Sequence, residues 1–194
     1  IKCFRGSYKN VTKRIYDAAV WANADVIVRG TGDDILIDIP LMEAMVDRHI
    51  QNGNDYTYVS KVPRGIDAEI VSVSALRKVM DTWPDGDLEY LGFYLKHQMF
   101  RCEDFQPPYN LQRPRFRCVL DYPEDLIVVR TILSAMKDPT GEEIVHFLDS
   151  NKHLTEINTL PKLSIYIPCH NYGKYIDDAI DSISAQMMNE REYE

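Results

Sequence analysis

Residues 24–34 read ADVIVRGTGDD, and this stretch decides the fold class. It opens with a short β-branched run at 26–28, which predicts a buried strand. Glycines at positions 30 and 32 end that strand, and two acidic residues follow at once. In α/β sheets the ligand lies beyond the C-terminal ends of the strands, so this turn is the first place to look for chemistry.

The segments around this stretch alternate between helical and strand periods. Helical spacing predicts helices at about 8–23, from 41 to a stop at 52–54, and at 74–81, 88–97, 123–136, 140–150 and 175–186. Apolar runs predict strands at 24–28, 56–60, 68–73, 99–103, 116–120 and 163–167, and residues 1–4 also resemble a strand. This alternation predicts an α/β fold, Rossmann-like, with a mostly parallel sheet and helices on both faces.

Composition bounds the function classes. The chain has 194 residues, of which 45% are hydrophobic and 27% charged, as in ordinary globular domains. Its formal net charge of −8 argues against nonspecific nucleic-acid binding, and no apolar run approaches the roughly 20 residues of a transmembrane helix. The four cysteines form no CxxC pair, so core thiols in a reducing cytoplasm are expected rather than a zinc site.

Two acidic residues follow predicted strands, and they are the first candidates for catalysis. Asp33 comes after the strand at 24–28, and Asp121 comes after the strand expected at 116–120. Carboxylates at one sheet edge could hold Mg²⁺ together with phosphate oxygens and water. Spacing alone favours turn or helix-capping roles, because aspartate is common at both places.

Other polar residues carry weaker signals. Arg5 follows the opening segment and could meet a phosphate or a base, although from this segment alone a solvated turn arginine is the better explanation. Asp67 and Glu69 lie two apart, so an extended chain would point both at one face, toward sugar hydroxyls or a cation. An exposed strand edge is an equally good explanation. No nucleophile is spaced to pair with a histidine, so a Ser–His–Asp or Cys–His enzyme has no support.

Several motifs occur in an order that resembles the cytidylyltransferases of spore-coat polysaccharide and related surface-sugar synthesis. They are FRGS at 4–7, ADVIVRGTGD at 24–33, YVS at 58–60, GIDAE at 65–69 and RCVLDYPEDL at 117–126. The resemblance covers about residues 1–137. Motifs in a fixed order are more specific than any one alone, so here the resemblance outweighs the turn interpretation of Asp33 and Asp121.

This resemblance implies a fold of the nucleotide-diphospho-sugar transferase type. It also implies transfer of CMP from CTP to an acidic sugar or a phosphorylated sugar or polyol, with pyrophosphate released. Mg²⁺ would be held by Asp33 and Asp121, which together with Arg5 would form the catalytic set. The implied substrate-binding residues in this part of the chain are Arg29, Gly32, Ser60, Asp67 and Glu69.

Two departures from the family pattern matter. The glycine- and arginine-rich loop that wraps the nucleotide has no counterpart before Ile1, so we expect an N-terminally truncated domain at 1–150 that is inactive by itself. Ile35 also stands where the family often has proline. A polar stretch at 151–162 is expected to be a linker.

A second resemblance begins at residue 163. The sequence LSIYIPCHNYGKYI at 163–176, followed by AIDSISAQ at 179–186, is similar to the opening of a family 2 glycosyltransferase. Pro168 and Asn171 would then line a nucleotide-sugar site, and 163–194 would begin a second domain. A simple terminal strand and helix is the alternative.

Three functions therefore stay open from sequence. The leading one is a cytoplasmic cytidylyltransferase fused to a glycosyltransferase. The second is a glycosyltransferase with a degenerate cytidylyltransferase-like domain, and the third is a noncatalytic assembly module. A homodimer is one option for the assembled state.

Overall fold

The computed structural model describes residues 2–84, 90–159 and 166–185 of the chain. The chain divides into two compact units, residues 1–158 and 159–194. Within the described residues, the first holds a sheet, seven α-helices and a 3₁₀ turn, and the second holds a 3₁₀ turn and one α-helix.

The helices of the first unit are α1 Val11–Ala22, α2 Ile39–Asn52, α3 Val73–Thr82, α4 Leu91–Leu95, α5 Pro123–Ala135, α6 Gly141–Ser150 and α7 Lys152–Ile157. Its strands are β1 Val26–Arg29, β2 Tyr56–Tyr58, β3 Glu69–Ser72 and β4 Cys102–Asp104, and a 3₁₀ turn covers Tyr109–Leu111. The second unit contains the turn Gly173–Tyr175 and α8 Ile176–Ser184. Among these described residues, no helix has both the length and the apolar character needed to cross a membrane.

The sheet is mixed, which corrects the expectation of a mostly parallel one. Its order is β1-β3-β2-β4, with β3 antiparallel to both neighbours and β2 parallel to β4. For β3 to run parallel to β2, the chain between them would need a long crossover. Residues 59–68 instead connect β2 to β3 without a helix, so the two strands run antiparallel. The apolar pattern missed this because a buried inner strand has the same composition in either direction.

Two predicted strands are absent, and a third lies largely outside the described residues. Residues 2–7 form no strand, and 116–120 make a single parallel bridge between Arg64 and Arg117. The pairing does not extend past this bridge, because the N–H of Ile66 donates to the carbonyl of Pro63 at 3.4 Å and not to the neighbouring segment. Of the strand expected at 163–167, residues 163–165 are not described and the last two are not in a strand.

Helix ends follow the local sequence signals. Thr140 and Glu143 form a reciprocal capping box at the start of α6, and Pro123 occupies the first turn of α5. Gly53 ends α2 in the left-handed conformation at φ 58°, as the stop at 52–54 predicted. Residues 88 and 89 of the helix expected at 88–97 are not described, and α4 covers its middle.

A buried histidine joins α2 to the sheet. The Nδ1 and Nε2 atoms of His49 each lie 3.0 Å from a hydroxyl, that of Thr57 and that of Ser72. The Ser72 hydroxyl donates to the carbonyl of Asn54 at 2.7 Å, so it accepts from Nε2–H and leaves Nδ1 as an acceptor. Burial lowers the pKa of His49, which is consistent with a neutral ring.

Residues 151–158 are not a linker, contrary to expectation. They form α7 and a terminal turn in the first unit, with Leu154 packed in the main core and Asn158 buried. A six-residue helix is too short to show an apolar period, which is why the sequence read as irregular.

Candidate active site

The turn after β1 holds Asp33 in an ionised state. The Thr31 hydroxyl donates to Asp34 at 2.7 Å, and the N–H of Asp34 donates back to the Thr31 carbonyl at 3.1 Å. The nearby Thr31 side chain and the backbone N–H of Asp33 lower the pKa of Asp33, with smaller attractions from Arg64 and Arg29. The carboxylate is therefore charged at neutral pH.

Asp33 and Asp121 lie on adjoining loops. The N–H of Leu120, directly before Asp121, donates to the carbonyl of Asp33 at 3.1 Å. The Arg64 guanidinium interacts with both aspartates. It lies 3.2 Å from Oδ2 of Asp121, and its charge also attracts the Asp33 carboxylate. The structure thus brings together the two residues predicted to hold metal; their role stays a prediction.

A buried network of hydrogen bonds and ion pairs holds the Asp121 loop in place. Nη2 of Arg117 bonds Oδ2 of Asp121 at 3.1 Å and Oδ2 of Asp125 at 2.9 Å. Asp125 also accepts the N–H groups of Asp121 and Tyr122, both at 3.0 Å. Asn158 donates to Asp125 at 2.8 Å and to the Arg117 carbonyl at 3.0 Å. Burial opposes ionisation of Asp125, but these donors outweigh it and its pKa is lowered.

Sequence reasoning assigned no role to Arg117, Asp125 or Asn158. The first two lie inside the quoted motif at 117–126, where an arginine is followed at fixed spacing by two aspartates. That spacing was the available signal. Asn158 carried none, because it reaches the site only through the path of α7.

A second polar cluster lies on the sheet between β1 and β3. Arg29 and Glu69 face each other in the strand register and pair at 2.5 Å, and the Tyr56 hydroxyl donates to the other oxygen of Glu69. Burial, followed by the nearby Glu69 charge, strongly raises the pKa of Tyr56, so it stays protonated.

This cluster forms one wall of a cavity of about 670 Å³. The lining residues are Arg29, Tyr56, Glu69, Tyr90, Leu91, Gly92, Phe93, Tyr94 and Lys96. Tyr90 and Phe93 are largely exposed, at 71% and 79%, so the cavity presents aromatic faces beside a polar floor.

Asp67 does not share a face with Glu69 as expected from the period of two. The strand begins only at Glu69, and the Asp67 carboxylate folds back to accept the N–H of Gly65 at 3.0 Å. Burial raises the pKa of Asp67, and the negative charges of Asp34 and Glu69 add to that effect.

The remaining predicted residues are more scattered. Ser60 is bound to Asp104, which accepts from the serine hydroxyl at 2.6 Å and from its N–H at 3.1 Å. Arg5 is exposed and makes no ion pair within the described ranges, and Gly32 is exposed. In the second unit Pro168 is exposed, as is Asn171, which has a φ of 60°.

The donor set fits a magnesium ion whose other ligands are phosphate and water. In the described part of the chain, no group of three or more His, Cys, Asp or Glu residues is arranged to hold a metal. Asp33 and Asp121 supply two carboxylates on adjoining loops, and one or two is the number that nucleotide-bound Mg²⁺ takes from protein.

The match to known proteins covers most of this site. The family model described as cytidylyltransferase matches residues 1–120, which include the Asp33 turn and the Arg64 loop and end one residue before Asp121. The chain belongs to the cytidylyltransferase family. This confirms the family resemblance drawn from the motifs; no comparison bears on the second resemblance, at 163–186.

Individual relatives agree with this assignment. The spore coat polysaccharide biosynthesis protein SpsF of Bacillus subtilis is 26% identical over 157 residues, which cover 77% of this chain and 65% of that protein. The uncharacterized protein MJ1063 of Methanocaldococcus jannaschii is 28% identical over 167 residues, 82% of this chain and 68% of that protein. The cytidylyltransferase chain thus spans about two thirds of their length.

A solved structure supports the same fold. A cytidylyltransferase from Leptospira borgpetersenii serovar Hardjo-bovis superposes with a TM-score of 0.71 and 26% identity, over 84% of this chain and 70% of that one. An α/β fold with a mixed sheet and flanking helices is therefore that of a known cytidylyltransferase.

Proposed function

We propose that this chain carries the transfer of CMP from CTP to an acidic sugar or a phosphorylated sugar or polyol, for the synthesis of a surface polysaccharide. Family membership supports the nucleotidyl transfer, and the similarity to a spore coat polysaccharide biosynthesis protein of Bacillus subtilis supports the polysaccharide setting. The nature of the acceptor rests on the motif resemblance and on the cavity beside β1.

One observation carries the proposal. The hydrogen bond from Leu120 to the carbonyl of Asp33 places the Asp33 turn against the Asp121 loop, although 88 positions separate the two aspartates along the chain, from 33 to 121. Two ionisable carboxylates gathered at the end of a strand suit a triphosphate substrate, whose charge must be neutralised for attack.

The mechanism is positional rather than covalent. The acceptor oxygen attacks the α-phosphorus in line, and the bond to the departing pyrophosphate breaks. Mg²⁺ held by Asp33 and Asp121 supplies charge neutralisation on the phosphates when it is bound. Arg117 and Asp125 hold the Asp121 loop in place, so its carboxylate needs little reorganisation during the reaction.

The aromatic cavity suits the acceptor. Glu69 can accept hydrogen bonds from sugar hydroxyls, and the exposed rings of Tyr90 and Phe93 can cover the apolar face of a sugar. Lys96 lies 3.7 Å from the ring centre of Tyr58 and lines the same cavity, where its charge suits a carboxylate or phosphate on the acceptor. Arg29 lines this cavity, and its charge also attracts Asp33. It therefore lies between the cavity and the Asp33 turn.

The experiment is pyrophosphate release from CTP and Mg²⁺, with a panel of acidic sugars and sugar or polyol phosphates. The longest available version of the protein is compared with an Asp33→Asn, Asp121→Asn double variant and with Asp47→Asn, an exposed helical aspartate, as the matched control. We expect release that survives Asp47→Asn and drops at least a hundredfold in the double variant. Absence of release from folded protein would refute the proposal.

The other predicted properties stay predictions. Sugar transfer by the full-length protein without pyrophosphate release from CTP would instead support the glycosyltransferase alternative, in which Pro168 and Asn171 contribute. A homodimer, a cytoplasmic location and N-terminal truncation likewise await their own measurements.

A further inference from the structure

Two arginines share one oxygen of Asp121, and their surroundings differ. Arg117 is 3% exposed and pairs with a second carboxylate, the fully buried Asp125, at 2.9 Å. Arg64 is 58% exposed and lies 3.2 Å from the same Asp121 oxygen. Within the described residues, Asp121 is the one carboxylate that Arg64 pairs with directly. The carboxylate is thus shared, and the exposed guanidinium of Arg64 keeps N–H donors facing solvent.

The backbone fixes the Arg64 position more firmly than its exposure suggests. Its N–H donates to the carbonyl of Phe116 at 3.0 Å, and its carbonyl accepts the N–H of Cys118 at 2.7 Å. Gly65 follows with a φ of 96° and lies so close to the 118–119 backbone that a Cβ would come within 2.5 Å of the Val119 nitrogen. The turn is therefore pinned against the loop that carries Asp121.

We propose that Arg64 is an anion-binding residue of this site, which contacts the phosphate oxygens of a di- or triphosphate bound over Asp33 and Asp121. Guanidinium groups bind phosphate with paired, charge-assisted hydrogen bonds, and the ion pair with Asp121 already holds the Arg64 guanidinium beside this site. Arg117, by contrast, is a positioning residue, since its side chain is enclosed. This assignment deepens the proposed nucleotidyl transfer and rests on it for the identity of the ligand.

The test measures binding rather than turnover. Inorganic pyrophosphate is titrated calorimetrically into the full chain at fixed free Mg²⁺, using the wild type, Arg64→Ala and Arg64→Lys. The matched control is Arg130→Ala, which removes the same charge from an exposed position on α5. Arg64→Ala is expected to weaken binding about tenfold or more, Arg64→Lys less, and Arg130→Ala less than about twofold.

Each result is decisive for Arg64. Unchanged affinity in Arg64→Ala, an equal loss in Arg130→Ala, or no pyrophosphate binding by folded wild type would each overturn the assignment. A thermal melt confirms that the variants are folded. The proposed reaction is judged separately: Arg64-dependent pyrophosphate binding without any release from CTP would leave the anion site standing while the transferase activity fails. Release of pyrophosphate from CTP, together with a pyrophosphate affinity that Arg64→Ala does not change, would support the transferase activity and overturn the role of Arg64.

Discussion

Replacing Gly65 by alanine tests the contact between the Arg64 turn and the Asp121 loop. The φ of 96° is strained for any residue with a side chain, at about 1–3 kcal/mol. The added Cβ would also stand 2.5 Å from the nitrogen of Val119 and 2.6 Å from the carbonyl carbon of Cys118. These are backbone atoms, which cannot rotate away as a side chain would.

The overlap adds an overpacking cost of about 1–3 kcal/mol to the backbone strain. We therefore expect Gly65→Ala to lower the free energy of unfolding by about 3 kcal/mol or more, a large share of the 5–15 kcal/mol typical of a domain. Urea denaturation followed by circular dichroism measures the change.

Gly32→Ala is the matched control, because a Cβ built there meets nothing within 4 Å. It should change stability by less than about 0.5 kcal/mol. A loss below about 1 kcal/mol for Gly65→Ala, or equal losses in both variants, would refute the inferred close approach of the two loops.

Three further predictions follow from buried groups. Because burial lowers the pKa of His49 in the folded state, its contribution to stability should be present above the unfolded pKa of about 6.5 and be lost as the pH falls below it. His49→Gln should flatten that dependence in urea melts, whereas His153→Gln, at an exposed position, should not. Burial raises the pKa of Cys118 to about 12, so a maleimide at pH 7.5 should label exposed Cys169 and spare Cys118 in native protein, as mass spectrometry would reveal. Leu154→Ala should cost about 2 kcal/mol or more in the same melts, whereas a linker leucine would cost almost nothing.

Local signals predicted most of the helices, though not α7. The capping box at Thr140 and Glu143 and the glycine stop at Gly53 both act within a few residues, so the sequence contains all that is needed to place them. Strand direction was not predictable in that way. It depends on how residues 59–68 return the chain beside β2, and apolar composition carries no record of that path.

The juxtaposition of Asp33 and Asp121 was expected for a reason that is only partly right. The prediction relied on two parallel strands ending at one edge, yet 116–120 is an irregular segment with one bridge to Arg64. What brings Asp121 into place is the hydrogen bond between Leu120 and Asp33, together with the buried Arg117.

The supporting network was beyond sequence reasoning because its partners are far apart in the chain. Asn158 lies 33 positions from Asp125 and 41 from Arg117, and both hydrogen bonds require α7 to fold back against α5. A single polar residue at the end of a short helix gives no periodic signal that could reveal such a contact.

The bonds of Asn158 determine where this domain can be cut or joined to another. A version ended at residue 150, the boundary that sequence patterns suggested, would discard α7 and remove two donors from a buried carboxylate and a buried carbonyl. An expression boundary belongs after 158. Any protein joined after residue 158 would begin next to Asn158, which bonds the Arg117 and Asp125 that hold the Asp121 loop. Strain or crowding at the junction would therefore disturb the candidate catalytic loop.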